Sequence, residues 1–281
     1  MRIEYEDQEI LVIYKEAGLS VQTGRTSQKD VVSLLKNHLA KQAASEREKQ
    51  DPDAAAGKEE SRKGADRLPS EPYLGIIHRL DQPVEGLLVF AKTPKSAAAL
   101  SAQAASKTGM EKEYQAVVCL NESSYPQAIA GMKKDVTLTD WLGRDTATNT
   151  AYVTSEEEKG AKRAELEFRT LWIREGRALL RIRLHTGRHH QIRVQMAHAG
   201  MPLLGDRKYG NNESADPAAG MTFPAGGKYE DKEGKAADSG SDRRACPLCL
   251  CAWRLAFQHP ATGKKMQFCV EPAFSEAFLL E

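Results

Sequence analysis

Two short stretches of this 281-residue chain concentrate side chains able to do chemistry. The first runs Gly75-Ile76-Ile77-His78-Arg79-Leu80-Asp81-Gln82-Pro83-Val84-Glu85-Gly86. It sets a carboxylate, Asp81, beside an arginine at the edge of an apolar segment. A carboxylate in such a place has the chemistry of a nucleophile or a proton acceptor. The same residue types also suit an aspartate that caps a turn and pairs with Arg79. The second stretch is His185-Thr186-Gly187-Arg188-His189-His190-Gln191-Ile192-Arg193. A strand-to-helix turn there offers free backbone N–H groups and a positive helix end to an anion. If the helix starts near His189, then His189 and Arg193 share one face at i, i+4. A basic turn with no ligand fits as well. Metal is not expected at this turn, because no carboxylate or cysteine stands at ligand spacing nearby.

The elements that would position these residues follow from periodicity. Residues 1–24 read as two short strands around a turn, with Ile10–Tyr14 β-rich and Lys15-Glu16-Ala17-Gly18 the break after it. Ser27 reads as a helix N-cap, with Val31, Leu34, Leu35 and Leu39 at helical spacing after it. Gly86–Ala91 is an apolar run, most simply a buried strand. Thr93-Pro94 starts a helix with Pro at its first position, ending before Gly109. Glu113–Leu120 reads as a strand. Arg177–His185 alternates, with Leu180, Ile182 and Leu184 on one face and Arg181, Arg183 and His185 on the other. His189–His198 reads as a helix stopped by Gly200. Leu248–Phe257 and Lys265–Val270 recover strand character. Residues 121–176 carry no assignment.

Two segments stand apart. Residues 41–72 hold seven bases and eight acids, too polar to bury much surface, and read as a mobile loop or polar helical extension. Residues 211–245 are rich in Gly, Ala, Ser and charge, and read as a second insertion. Strands and helices interleave without a βαβ rhythm. The expected fold is therefore α+β, one domain over residues 1–281 on a mixed, mostly antiparallel sheet with flanking helices.

Composition narrows the class. Apolar residues are 41% and charged residues 28% of the chain, as in globular proteins with a sizeable core. No apolar run is long enough for a membrane span. The acidic N-terminus does not resemble a signal peptide, so a cytoplasmic location is expected. The net charge of +1 is uninformative. Its distribution says more: Arg181 to Gly210 holds five arginines and Lys208 against Asp206 alone, as expected where one face meets a polyanion. Five cysteines, an odd number, argue against a disulfide framework. Cys246, Cys249 and Cys251 would need a fourth ligand to hold zinc, and their alternation with Leu248, Leu250 and Ala252 suits a buried strand. No metal site is expected.

Taken together, the two chemical stretches resemble the RluA-type pseudouridine synthases, which isomerise uridine in ribosomal and transfer RNA. The resemblance extends to Tyr5–Leu19 as the family's first hairpin, to the His78-Arg79-Leu80-Asp81 segment with Gly86-Leu87-Leu88 as its catalytic motif, and to Lys112–Val118 as its tyrosine strand. Thr186–Arg193 with Gly205–Gly210 is similar to its third motif. The resemblance implies that Asp81 is the catalytic aspartate, that Tyr114 stacks on the flipped base, and that Arg193 pairs with the catalytic carboxylate, keeping it ionised. It further implies that Arg79 enters the RNA stack where the uridine leaves, with Arg188 and His189 as phosphate contacts and His78 structural. Many members carry Asp-Thr-Ser where this chain has Pro83-Val84-Glu85, and Thr or Ser at His189. Many also carry a small N-terminal RNA-binding domain, and the opening hairpin at residue 3 leaves no room for one, so a compact member is expected. The reaction implied is redox-neutral, so no cofactor is expected. The partner expected is RNA, with the protein a monomer. An RNA-binding or ribosome-assembly protein on the same scaffold is the alternative.

Overall fold

A computed structural model describes residues 1–23, 28–50, 71–106, 109–210 and 246–275. Within 41–72, residues 41–50 are helical and residues 51–70 lie outside the described residues, as do Ser27 and all of 211–245. The described chain clusters into two compact units.

The first unit comprises described residues of 1–82, 88–110 and 257–266. Its opening hairpin is β1 (Arg2–Glu6) against β2 (Ile10–Lys15), antiparallel. Ile10 to Ile13 are all fully buried, the signature of an interior strand covered on both faces. The helix α1 (Val31–Gln50) follows. Asp30 caps it: its carboxylate accepts from Ser33 N at 2.7 Å and from Thr23 N at 2.7 Å. An aspartate takes this role because it satisfies the orphan N–H groups of the first turn. Strand β3 (Gly75–Ile76) pairs antiparallel with β4 (Glu85–Ala91). α2 (Pro94–Ala105) begins as expected, with Pro94 at N1 and Thr93 accepting from Ser96 N.

The second unit comprises 83–87, 111–256 and 267–281, where described. It holds β5 (Met110–Cys119), α3 (Tyr125–Lys133), β6 (Val136–Asp145), β7 (Thr150–Thr154), β8 (Lys162–Arg174), β9 (Arg177–Leu184), α4 (Gln191–His198), β10 (Leu250–Gln258) and β11 (Lys265–Cys269) as its main elements. The hydrogen-bonded order is β4-β10-β5-β9-β8-β6-β7, with β11 on β10. β4 and β10 run parallel, whereas β5–β9, β8–β9, β6–β8 and β6–β7 are antiparallel. The mixed sheet and flanking helices are the α+β architecture read from the sequence.

The sheet of this unit is two-faced. Ile182 lies opposite both Tyr114 and Phe168, and Leu180 opposite Ala116 and Thr170. Directly opposite residues share a face, so these six side chains line one side. α3 packs there, with Gly131 so close that an added Cβ would stand 2.5 Å from Thr170 Oγ1. Val194 of α4 packs on Leu142, Ala151 and Ala164. The opposite face carries Arg183 across from Glu113 and Glu167. There Arg254 reaches Glu111 and Glu113 at 3.0 and 3.1 Å, and Arg183 reaches Glu113 at 3.2 Å. This corrects the expectation of one basic surface over Arg181–Gly210. Alternation sends Arg181 and Arg183 to the side away from Tyr114, among carboxylates.

Candidate active site

Asp81 sits half-buried in the loop between β3 and β4, in the first unit, with Arg79 exposed two residues before it. This loop is pinned from β2. Lys15 is fully buried. Its ammonium donates to the carbonyl oxygens of Glu16, Leu19 and Gln82 at 3.0, 2.8 and 3.1 Å. Gly18 N also donates to Gln82 O at 2.8 Å, and Gln82 Nε2 returns a bond to Gly18 O at 3.0 Å. The residue next to Asp81 is therefore fixed on both its carbonyl and its side chain. His78 Nε2 accepts from Val89 N at 3.4 Å, tying the front of the motif to β4.

The second unit carries the other candidates. Tyr114 is buried on β5, and Arg193 is buried in the first turn of α4. The turn from β9 into α4 is held by a polar network. Gln191 Oε1 accepts from Thr186 Oγ1 at 2.8 Å and from Arg188 N at 2.9 Å. Its amide donates to Glu165 O at 3.1 Å and to Gln195 Oε1 at 2.9 Å. Gln195 passes the chain on to Asp140 at 2.8 Å, which also meets His198 at 3.0 Å. All four hydrogen-bonding sites of the buried Gln191 side chain are satisfied, which rigidifies such networks.

The helix begins at Gln191, two residues later than the sequence reading of His189–His198. His190 occupies a left-handed conformation, φ 51° and ψ 25°, so His189 precedes the helix and the i, i+4 pairing with Arg193 does not form. Arg188 is exposed and donates from Nε to Arg163 O at 3.0 Å. His189 is half-buried, stacks on His190 with ring centroids 3.8 Å apart, and lies 3.4 Å from Asn149 O through Nε2.

Three partners were not legible as site residues. Asp206 takes the Arg193 guanidinium in a fork, Nε to Oδ2 at 2.8 Å and Nη2 to Oδ1 at 2.7 Å. Burial opposes the Asp206 charge most strongly of any single effect, but the hydrogen bonds and charge of Arg193, together with the Lys208 and Tyr209 amides, hold the carboxyl below its ordinary range. Asp206 Oδ1 also accepts from Lys208 N and Tyr209 N at 2.9 and 3.1 Å. Tyr209 lies under Arg193, guanidinium carbon 5.1 Å from its ring centre, a cation–π contact. His190 is the third. Burial, followed by the charge of Arg193, pushes its pKa down to about 3, so it is neutral. The signal available for Asp206 and Tyr209 was their place in the Gly205–Gly210 segment.

Among the described residues no helix is long and apolar enough to cross a membrane. Cys249 and Cys251 are fully buried thiols, as their alternation with apolar residues suggested.

Comparison with known proteins fits this arrangement. The model of the RNA pseudouridylate synthase family matches residues 9–198, and the chain belongs to that family. The chain is 32% identical over 267 residues to the ribosomal large subunit pseudouridine synthase D of Vibrio vulnificus, covering 95% of this chain and 65% of that protein. It is 29% identical over 280 residues to the Pseudomonas aeruginosa protein of the same name, covering 99% of this chain and 70% of that one. The chain thus spans just under two thirds of the length of the Vibrio relative. The solved structure of human RNA pseudouridylate synthase domain containing 4 shares the fold, with TM-score 0.61 at 19% identity over 99% of this chain and 93% of that one.

Proposed function

We propose that this chain is an RNA pseudouridine synthase that isomerises uridine in large-subunit ribosomal RNA. The observation that carries the reading is the family match through residues 9–198, which takes in Asp81, Tyr114 and Arg193 together. In this reading Asp81 is the catalytic group. The bond from ribose to N1 breaks, the uracil turns, and carbon 5 joins the ribose. Asp81 assists the cleavage and then takes the proton from carbon 5, while N1 ends protonated. Atoms and electrons balance within the nucleotide, so the chemistry calls for no cofactor.

Tyr114 receives the extruded base, and Arg193 keeps the catalytic carboxylate ionised. Arg79 fills the gap in the RNA stack, where its planar guanidinium can take the place of a base. Extrusion costs a few kcal/mol, on the order of one stacking and pairing interaction. Arg188 and His189, at the open turn before α4, contact phosphate. The protein acts as a monomer and in the cytoplasm. The relatives' names, which refer to the ribosomal large subunit, support that substrate.

The test is tritium release to water from a large-subunit ribosomal RNA transcript made with uridine tritiated at carbon 5. Wild type is expected to release it, and Asp81→Asn to bind RNA without release. Binding by both with no release from either would replace the enzyme with an RNA-binding protein.

A further inference from the structure

We propose that Lys112 is a phosphate-binding residue beside Tyr114, completed by a phosphodiester oxygen of the nucleotide whose base Tyr114 receives. The inference rests on the isomerase reading and adds a residue to it.

The argument begins with strand alternation. Glu113 lies opposite Arg183 and Tyr114 opposite Ile182, so Glu111 and Glu113 share one face of β5 and Lys112 shares the other with Tyr114. The acids flanking Lys112 in sequence are therefore turned away from it. They are also already occupied: Arg254 holds Glu111 at 3.0 Å and Glu113 at 3.1 Å, and Arg183 holds Glu113 at 3.2 Å. Lys112 is half-buried. Among the described residues its side chain makes no hydrogen bond or ion pair. Its neighbours have removed water without supplying an anion, and that desolvation lowers its pKa from the ordinary value.

A cation in that state raises the free energy of the empty protein. Other buried cations of this chain are matched: Lys15 by three carbonyls, Arg193 by Asp206. Lys112 lacks such a match on the face that Tyr114 occupies. Two residues of strand separate the two side chains by roughly 6.7 Å, the scale that separates a nucleotide's base from its phosphate. An ammonium is a compact point charge with rotatable donors, suited to a phosphate oxygen.

The experiment compares wild type, Lys112→Met, Lys112→Gln and Lys112→Arg on the tritiated ribosomal RNA transcript. Binding is measured over a range of salt, with kcat and KM at fixed salt. Lys112→Met is expected to melt at or above the wild-type temperature, because it removes an unmatched charge and keeps the stem. Its log Kd against log salt should lose about one phosphate's worth of slope, roughly 0.7–0.9. KM should rise about tenfold with kcat within about threefold, Lys112→Gln should follow Lys112→Met, and Lys112→Arg should restore most of the affinity.

An unchanged slope and KM would overturn the proposal. A raised KM with unchanged slope would also overturn it, in favour of an uncharged contact such as a uracil oxygen. A fall in kcat alone would assign Lys112 to the chemistry instead. A lower melting temperature for both Lys112→Met and Lys112→Gln would show a partner within the protein and would likewise overturn it. Failure of wild type to release tritium would overturn the isomerase reading, and the salt slopes would still report on Lys112 by themselves.

Discussion

The Tyr209 hydroxyl lies 2.6 Å from Nδ1 of His190, and the same oxygen accepts from Ala151 N at 2.8 Å. With the hydroxyl proton given to His190, Nδ1 is the acceptor and the imidazole proton is on Nε2. Tyr209 thus ties the side chain of His190, the left-handed residue that precedes α4, to a segment 19 positions on. Tyr209→Phe keeps the ring under Arg193 but strands a buried ring nitrogen and a buried N–H. It should cost about 1–3 kcal/mol in chemical denaturation, the usual penalty for unsatisfied buried polar groups. Nitrogen chemical shifts of His190 should change from a single Nε2–H tautomer toward a mixture. Retention of the single tautomer would show that another group fixes it.

The depressed pKa of His190 has a consequence for acid stability. The folded value is about 3, against an ordinary value of 6.5. Below pH 6.5 the unfolded chain takes up a proton that the folded chain refuses. Stability from this group is thus complete above pH 6.5 and falls with decreasing pH down to about 3, by about 1.4 kcal/mol per unit. Urea unfolding at pH 6.5 and pH 5 should show a loss of about 2 kcal/mol from this residue. His190→Gln should remove that portion of the slope. Carboxylates with lowered values, Asp206 among them, act at lower pH. Equal slopes in wild type and variant over this range would mean that His190 protonates in the folded protein.

The elements legible in sequence were those whose signal is local. The run Gly86–Ala91 is buried throughout, and Thr93-Pro94 opens α2 through a side-chain cap and a proline whose missing N–H costs nothing there. The β9 alternation placed Leu180 and Ile182 inside. What escaped was set by distant contacts. The α4 boundary falls at His190, whose left-handed backbone stops the helix and whose ring meets Tyr209, a residue 19 positions on. The fork on Arg193 comes from Asp206, 13 positions on. Lys15 read as the start of the break after a strand, yet it is the buried last residue of β2, and its acceptors are carbonyls, one of them 67 residues away. The strands β6 to β8 were not assigned: β6 is half exposed along much of its length, and β8 carries a register irregularity between Thr170 and Trp172.

Lys15 gives the next test. Replacing it with Met removes the donor to Leu19 O and Glu16 O and one of the two donors to Gln82 O. Stranding buried carbonyls should destabilise the protein by about 2–4 kcal/mol. Lys15→Arg should not rescue, because a rigid planar fork cannot place three donors around one point. Because Gln82 follows Asp81, kcat for tritium release should fall more than KM rises at temperatures where the variant is folded. Unchanged kcat in a folded Lys15→Met protein would show that the Asp81 loop is fixed without it.

Gly86 is the sharpest steric prediction. It lies in β4 with φ at +127°, a conformation that side chains rarely adopt. An added Cβ would stand 2.5 Å from both the amide nitrogen and the carbonyl oxygen of Ala252. Neither is a movable side-chain end: Ala252 is the residue across which β10 runs parallel to Gly86. Relief would require the two strands to part where Glu85 accepts from Ala273 N at 2.9 Å and both strands are buried. Gly86→Ala should therefore cost more than about 3 kcal/mol, the scale of overpacking and backbone strain combined. The contrast is Gly187→Ala, in the exposed turn before α4, where an added Cβ meets nothing within 4 Å. That variant should unfold within about 0.5 kcal/mol of wild type, as for surface substitutions. Thermal and urea unfolding of the pair decides the matter: similar stabilities for both would mean that β4 and β10 can separate at Gly86 with little loss.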